Sequence, residues 1–119
     1  MKALRVIPNI HAAEGPADRE FFGGFLGLGR TVMDQGWVAR LTSPDSGAEV
    51  QLVTRDRTAP EDSVVTVMVD DVGAAHDEAL RRGYEIVHPL TTEDWGVRRF
   101  FVRAPGGAVV NVAQHHPET

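Results

Sequence analysis

His11, His76, His88, His115 and His116 are the side chains best suited to metal or proton chemistry in this chain. No two of them share a spacing such as HxxxH that would put both on one helix face. His11 and His88 fall near strand ends, His76 on a helix and His115-His116 in a polar tail, so surface histidine is the simpler reading. Asp70-Asp71 resembles a paired carboxylate, but its place just before an apolar-periodic run makes it a helix cap. Gly23-Gly24-Phe25-Leu26-Gly27-Leu28-Gly29 imitates a phosphate loop. It ends a helix instead of leading a strand into one, so it reads as helix termination. The serines lie in turns or at strand ends without a partnered histidine, which leaves no evident nucleophile. Cysteine is absent, so disulfides, thiolate zinc sites and cysteine nucleophiles are excluded.

What remains is recognition chemistry. Trp37, Trp95 and Phe101 offer flat apolar faces on which a planar ligand could stack; the alternative is ordinary core packing. Arg99 is suited to a bidentate contact with a ligand anion, or to pairing with Glu49 or another carboxylate. The formal charge of -5, with Lys2 the only lysine, disfavours a nucleic-acid surface. No apolar run approaches the roughly 20 residues of a membrane span. The opening MKALRVIPNIHA is too short and interrupted to resemble a secretion signal, so a cytoplasmic protein is expected.

These side chains must be positioned by the elements around them, and the chain states its plan twice. Ser43 to Val53 and Arg103 to Ala113 are each a glycine-containing turn followed by a short strand with one polar amide, Gln51 or Asn111, and they lie 60 residues apart. Strands are predicted over Leu4–Ile10, Gly29–Asp34, Trp37–Ser43 and Ala48–Thr54. A helix begins at Glu14-Gly15-Pro16 with the stripe Phe21, Phe22, Phe25, Leu26 and stops at Gly27 and Gly29. Arg55 to Asp62 is a polar linker. The second half repeats the order: a strand over Ser63–Val69, then a helix with the stripe Val72, Ala75, Ala79, Leu80 closed by Gly83, then strands over Tyr84–Val87, Val97–Arg103 and Ala108–Gln114. His115 to Thr119 is expected to fray.

Each half is thus βαβββ, and the class is α+β, with paired modules at 4–55 and 63–114 making one domain over 4–114. The two sheets would curl into a mixed sheet whose inner faces form a cup. Alternation puts Ala48, Val50 and Leu52, and likewise Ala108, Val110 and Val112, against the helices. Glu49, Gln51, Val53, Val109, Asn111 and Ala113 then face the cup. Burying an unpaired arginine beneath a helix is costly, so Phe100 and Val102 are assigned to the helix side, with Arg99 and Phe101 to the cup. The 60-residue offset carries Arg99 and Phe101 onto Ala39 and Leu41, and points Trp37 inward with them. A turn one residue different in length would invert that assignment.

Phe21-Phe22-Gly23-Gly24-Phe25-Leu26-Gly27 and Trp95-Gly96-Val97-Arg98-Arg99-Phe100-Phe101 through Ala104-Pro105-Gly106-Gly107, with Asn111 on the closing strand, carry a family pattern. The chain resembles the vicinal oxygen chelate superfamily (glyoxalase, bleomycin resistance protein and dioxygenase) over about residues 4 to 114. Ala104 stands where the family's turn usually has aspartate. The resemblance implies the glyoxalase/bleomycin resistance fold. Enzymes of that fold hold a divalent metal at four strand positions, which fall here on Ile7, Gln51, Val64 and Asn111. Hydrocarbon side chains cannot donate a lone pair, and two neutral amides do not hold an exposed divalent ion by themselves. A two-residue slip brings Asn9, Glu49 and Thr66 to those levels, still a poor set.

The resemblance is therefore nearest to the metal-free bleomycin resistance branch. It implies a homodimer that binds a small planar or amphipathic molecule, with neither cofactor nor metal, and with no nucleic-acid or membrane partner. The expected ligand-binding residues are Trp37, Leu41, Glu49, Gln51, Trp95, Arg99, Phe101 and Asn111, and none is assigned a catalytic role. The alternatives are an enzyme of the same superfamily, metal-dependent or using an acid or base such as Glu49, and a structural partner domain whose cup is filled by its own side chains.

Overall fold

A computed structural model describes residues 1–116, which form two units: Ile7–Thr58, and Met1–Val6 together with the chain from Ala59 onward. The division falls inside the polar linker. Strand β1 (Ala3–His11) starts in the second unit and runs into the first.

In the first unit β1 leads to helix α1 (Gly15–Arg19) and a π-helical turn (Glu20–Phe25), then to strands β2 (Arg30–Asp34), β3 (Val38–Thr42) and β4 (Glu49–Val53). Their hydrogen-bonded order is β2-β3-β4-β1, with β1 and β4 parallel and the rest antiparallel. Pro16 opens α1, where its missing N–H has no partner to lose. Phe22 and Leu28 pack on a buried cluster of Ala12, Leu41, Val50 and Leu52. The rest of the expected aromatic stripe does not follow: Phe21, Phe25 and Leu26 are exposed. The turn here is π-helical, with Leu26 N donating to Phe21 O, so the α-helical spacing that defines the stripe does not apply to it.

The second unit repeats the pattern with β5 (Val65–Val69), α2 (Val72–Arg81), β6 (Ile86–Thr92), β7 (Val97–Arg103) and β8 (Val109–His115), in the order β5-β8-β7-β6 with β5 and β8 parallel. Helix α2 buries Val72, Ala75 and Ala79 against Phe100 and Val112, while Leu80 stays exposed. Burying a ring such as Phe100 contributes about 2–3 kcal/mol. The capping residue is Asp71: its Oδ1 accepts from Ala74 N at 3.0 Å. Gln114 Oε1 takes the N–H of Val72 at 2.9 Å, and its Nε2 donates to Asp70 O. Gly83, with φ +73, closes the helix. The fold is α+β, built from two βαβββ units.

Two boundaries differ from expectation. Strand β6 continues five residues past Val87, through His88 and Pro89. As an edge strand with register shifts on either side of His88, it accommodates a proline that lacks an N–H. His115 belongs to β8, and His116 N donates to Gly96 O at 2.8 Å, so the tail is ordered that far. The remaining tail positions, 117–119, lie outside the described residues. No helix among the described residues is long and apolar enough to cross a membrane.

Candidate functional site

Strand register decides which side chains share a face. In the second unit Arg99, Phe101 and Arg103 stand opposite Ala113, Asn111 and Val109, while Phe100 and Val102 stand opposite Val112 and Val110 on the α2 side. Arg99 and Phe101 therefore lie on the face turned away from α2. The row continues across four strands as His88, Phe101, Asn111 and Thr66. All four are buried, Phe101 completely, and so are Arg99 and Glu93.

Glu93 is the hub of the charged end. Arg99 Nε and Nη2 each donate to Glu93 Oε2 at 2.8 Å, and His88 Nε2 lies 3.5 Å from the same oxygen. The guanidinium carbon of Arg99 sits 5.0 Å from the centre of the half-buried Trp95 ring and 4.8 Å from that of Phe101. The arginine thus occupies the space between two of the expected stacking surfaces, and Glu93 is a carboxylate partner for it. Phe101 packs with Ala59, Val109 and Val87 and is a core aromatic in this conformation. Asn111 Nδ2 donates to Thr66 Oγ1 at 3.0 Å. Asn111 Oδ1 and His88 Nε2 are buried and have no hydrogen-bond partner.

In the first unit one expectation is corrected. Leu41 stands opposite Val50 and packs with Val50 and Leu52 on the helix side, away from Gln51. Arg40 takes the place expected for Leu41 or Ala39, because it is the residue opposite Gln51. The cause lies in the turns. Residues 43–48 separate the last β3–β4 pair, Thr42 and Glu49, whereas residues 104–108 separate Arg103 and Val109. The first turn is one residue longer, so the repeat holds for β4 and β8 but slips for β3, which turns over every side chain of that strand.

Arg40 donates from Nε and Nη2 to Gln51 Oε1 at 3.0 and 2.9 Å, and Gln51 Nε2 donates to Asn9 Oδ1 at 2.7 Å. Gln51 is buried, Glu49 is half-buried at the start of β4, and Trp37 is half-buried ahead of β3 with its carbonyl accepting from Thr54 N. His88 reads from sequence as one of five surface histidines, because its strand runs farther than the pattern predicts. The pattern does not single out Glu93, in a stretch without periodicity, or Arg40, whose face follows from turn length and not from an exact repeat.

The ladders also settle the levels of the four positions implied by the resemblance. Asn9 pairs with Gln51 and Thr66 with Asn111, so these two, and not Ile7 and Val64, stand beside the amides. Ile7 is fully buried and Val64 exposed. In both units the two neighbouring positions bond to each other, amide to oxygen. Neither pair fits a divalent ion. The members of each are neutral, and in the first unit the Arg40 guanidinium brings a positive charge onto the Gln51 oxygen that a cation would need. Among the described residues no three His, Asp or Glu side chains gather as a metal site.

Comparisons with known proteins agree with this architecture. A structure described as a glyoxalase/bleomycin resistance protein/dioxygenase superfamily member from Vibrio splendidus 12B01 is similar at TM-score 0.71 and 20% identity, covering 93% of this chain and 98% of that one. A structure described as an NAD-dependent benzaldehyde dehydrogenase from Legionella pneumophila is similar at TM-score 0.74 and 15% identity, covering 93% and 99%. A Streptomyces coelicolor methylmalonyl-CoA epimerase is similar at TM-score 0.68 and 18% identity, covering 98% and 100%. At these identities the likeness is one of fold alone. Curated proteins give no match. The sequence profile of one family matches residues 16–112, nearly all of the repeated architecture, and the chain belongs to the Glyoxalase/Bleomycin resistance protein/Dioxygenase superfamily.

Proposed function

We propose that this protein binds a small planar or amphipathic molecule without a metal, as a drug-sequestering member of its superfamily would. One observation carries the reading: in each unit the residue beside the closing-strand amide is neutral and bonded to it, Asn9 to Gln51 and Thr66 to Asn111, with Arg40 on Gln51. Such a set offers neutral donors and acceptors, suited to recognising polar edges and unsuited to a dication. Trp37 and Trp95, both half-buried, supply aromatic surface and an intrinsic reporter. A homodimer is proposed with it. Strands β2 and β6 are each an edge of their own unit's strand order, and unpaired strand edges favour association. Light scattering reads the mass directly.

The test is metal analysis of protein purified from medium containing zinc, nickel, iron and manganese, followed by tryptophan-fluorescence titration with planar amphipathic dyes. Substoichiometric metal and saturable quenching are expected. A full equivalent of any of these metals, or no quenching by any dye, overturns the reading.

A second reading, a metal-independent acid–base enzyme, is favoured by the buried His88–Glu93 approach of 3.5 Å. Turnover of epoxides or α-ketoaldehyde–glutathione adducts that survives chelation and is lost in Glu93→Gln would support it over the binder.

A further inference from the structure

The aromatic residues that leave the core of the first unit are exposed as a group. Phe25 is 73% exposed and Phe21 and Leu26 are 50% exposed each, and the Phe21 ring lies 5.4 Å from that of Phe25. Large apolar side chains exposed singly are ordinary, but a contiguous set of them marks an interaction surface. Next to these rings an open groove follows α1 and the π turn, lined by Pro16, Arg19, Glu20, Gly23, Gly24 and Gly29. Gly24 shapes its floor: a Cβ there would collide with the Glu20 carboxylate, which lies across the glycine. Charge adds a direction. Residues 14–34 carry the acids Glu14, Asp18, Glu20 and Asp34 against the bases Arg19 and Arg30. Arg19 is already matched by Asp34 at 2.8 Å, so the groove keeps the Glu20 carboxylate for a visitor.

We propose that this face of the first unit docks a basic amphipathic helix of another protein. The apolar side of that helix rests on Phe21, Phe25 and Leu26, and its lysine or arginine side chains lie along the groove over Gly23 and Gly24, with their charges at Glu20. An aromatic strip beside an acidic one matches the border between the two sides of such a helix. The glycines leave room for the long hydrocarbon stems, which pack while their charged ends stay wet. A second copy of this chain would bring the same acidic surplus to the face, and an anionic membrane would be repelled by it. The inference does not depend on the small-molecule reading, in which none of these residues takes part.

The probe is a fluorescein-labelled amphipathic peptide of leucine and lysine, about 18 residues long so that it can form a helix. Its counterpart carries glutamate for every lysine. Saturable anisotropy is expected with the lysine peptide, weakening as salt is raised, and none with the glutamate peptide. Phe25→Ser and Glu20→Lys are each expected to weaken binding about tenfold. Leu80→Ser, at an exposed apolar residue of α2 in the other unit, is expected to leave it unchanged. In the wild-type chain, bound peptide is expected to slow amide hydrogen exchange over residues 16–29 and to leave α2 unaffected, a readout that does not depend on any variant folding. No saturable binding, equal binding of the two peptides, wild-type affinity in Phe25→Ser, or unchanged exchange at 16–29 overturns the inference. A dimer of the chain alone that Phe25→Ser dissolves assigns the face to a second copy and overturns it as well.

Discussion

Glu93 and Arg99 sit deep in the second unit, each less than a tenth exposed, and their attraction is spent on offsetting desolvation. Removing one takes a buried charge partner from the other. Glu93→Gln is therefore expected to lower unfolding stability by about 3–5 kcal/mol in urea titration. Gln51 presents a milder case. Gln51→Leu removes the acceptor of Arg40 and the donor to Asn9, and a loss of about 1–3 kcal/mol is expected by the same titration. Neither cluster could be read from residue order alone. Arg99 announced itself as an arginine between apolar neighbours, but its partner lies six positions away across a hairpin whose register is a property of the folded sheet.

At the level of elements, helix α2 shows how much of a local structure its own sequence contains. The Asp71 cap, the Val72, Ala75, Ala79 stripe and the Gly83 stop were legible because each acts within a turn or two of helix. The Gln114 contact to Val72 N was not, since it comes from the far end of β8. Asp71→Ala is expected to cost about 1 kcal/mol in thermal or urea unfolding, the value of an N-cap acceptor. Strand β3 shows the opposite case. Its alternation of Val38, Ala39, Arg40, Leu41 and Thr42 gives no strong preference for either face, and one extra residue in the turn at 43–48 decided it. The turn at Glu93–Gly96 places Trp95 against Arg99, as its glycine at φ +88 allows.

For the molecule as a whole, acid sensitivity follows from its exposed carboxylates. The backbone N–H of Gly36 and then Arg19 hold Asp34 below the usual carboxylate range; the backbone N–H of Lys2 does the same for Asp70, and Arg82 followed by Arg81 for Glu78. Folded values lower than unfolded ones mean stability that is complete above the ordinary carboxylate pKa near 4 and lost as pH falls through the lowered values. The melting temperature is accordingly expected to be flat from pH 7 to 5 and to drop below pH 4, with a shallower drop in Asp34→Asn; a melting temperature that rises on acidification contradicts this. By itself the sequence determined the two βαβββ units, the α2 face at Val72, Ala75 and Ala79, the superfamily and the neutral amides at Gln51 and Asn111. Those features rest on periodicity, turn chemistry and spacing, which act over a few residues or repeat along the chain. Only the tertiary structure decided that Asn9 and Thr66 stand beside those amides, that Arg40 replaces Leu41 on the polar face, and that His88 and Asn111 flank Phe101 with one buried atom each lacking a hydrogen bond. Strand register fixes all three, and register depends on turn length and on pairings between residues tens of positions apart.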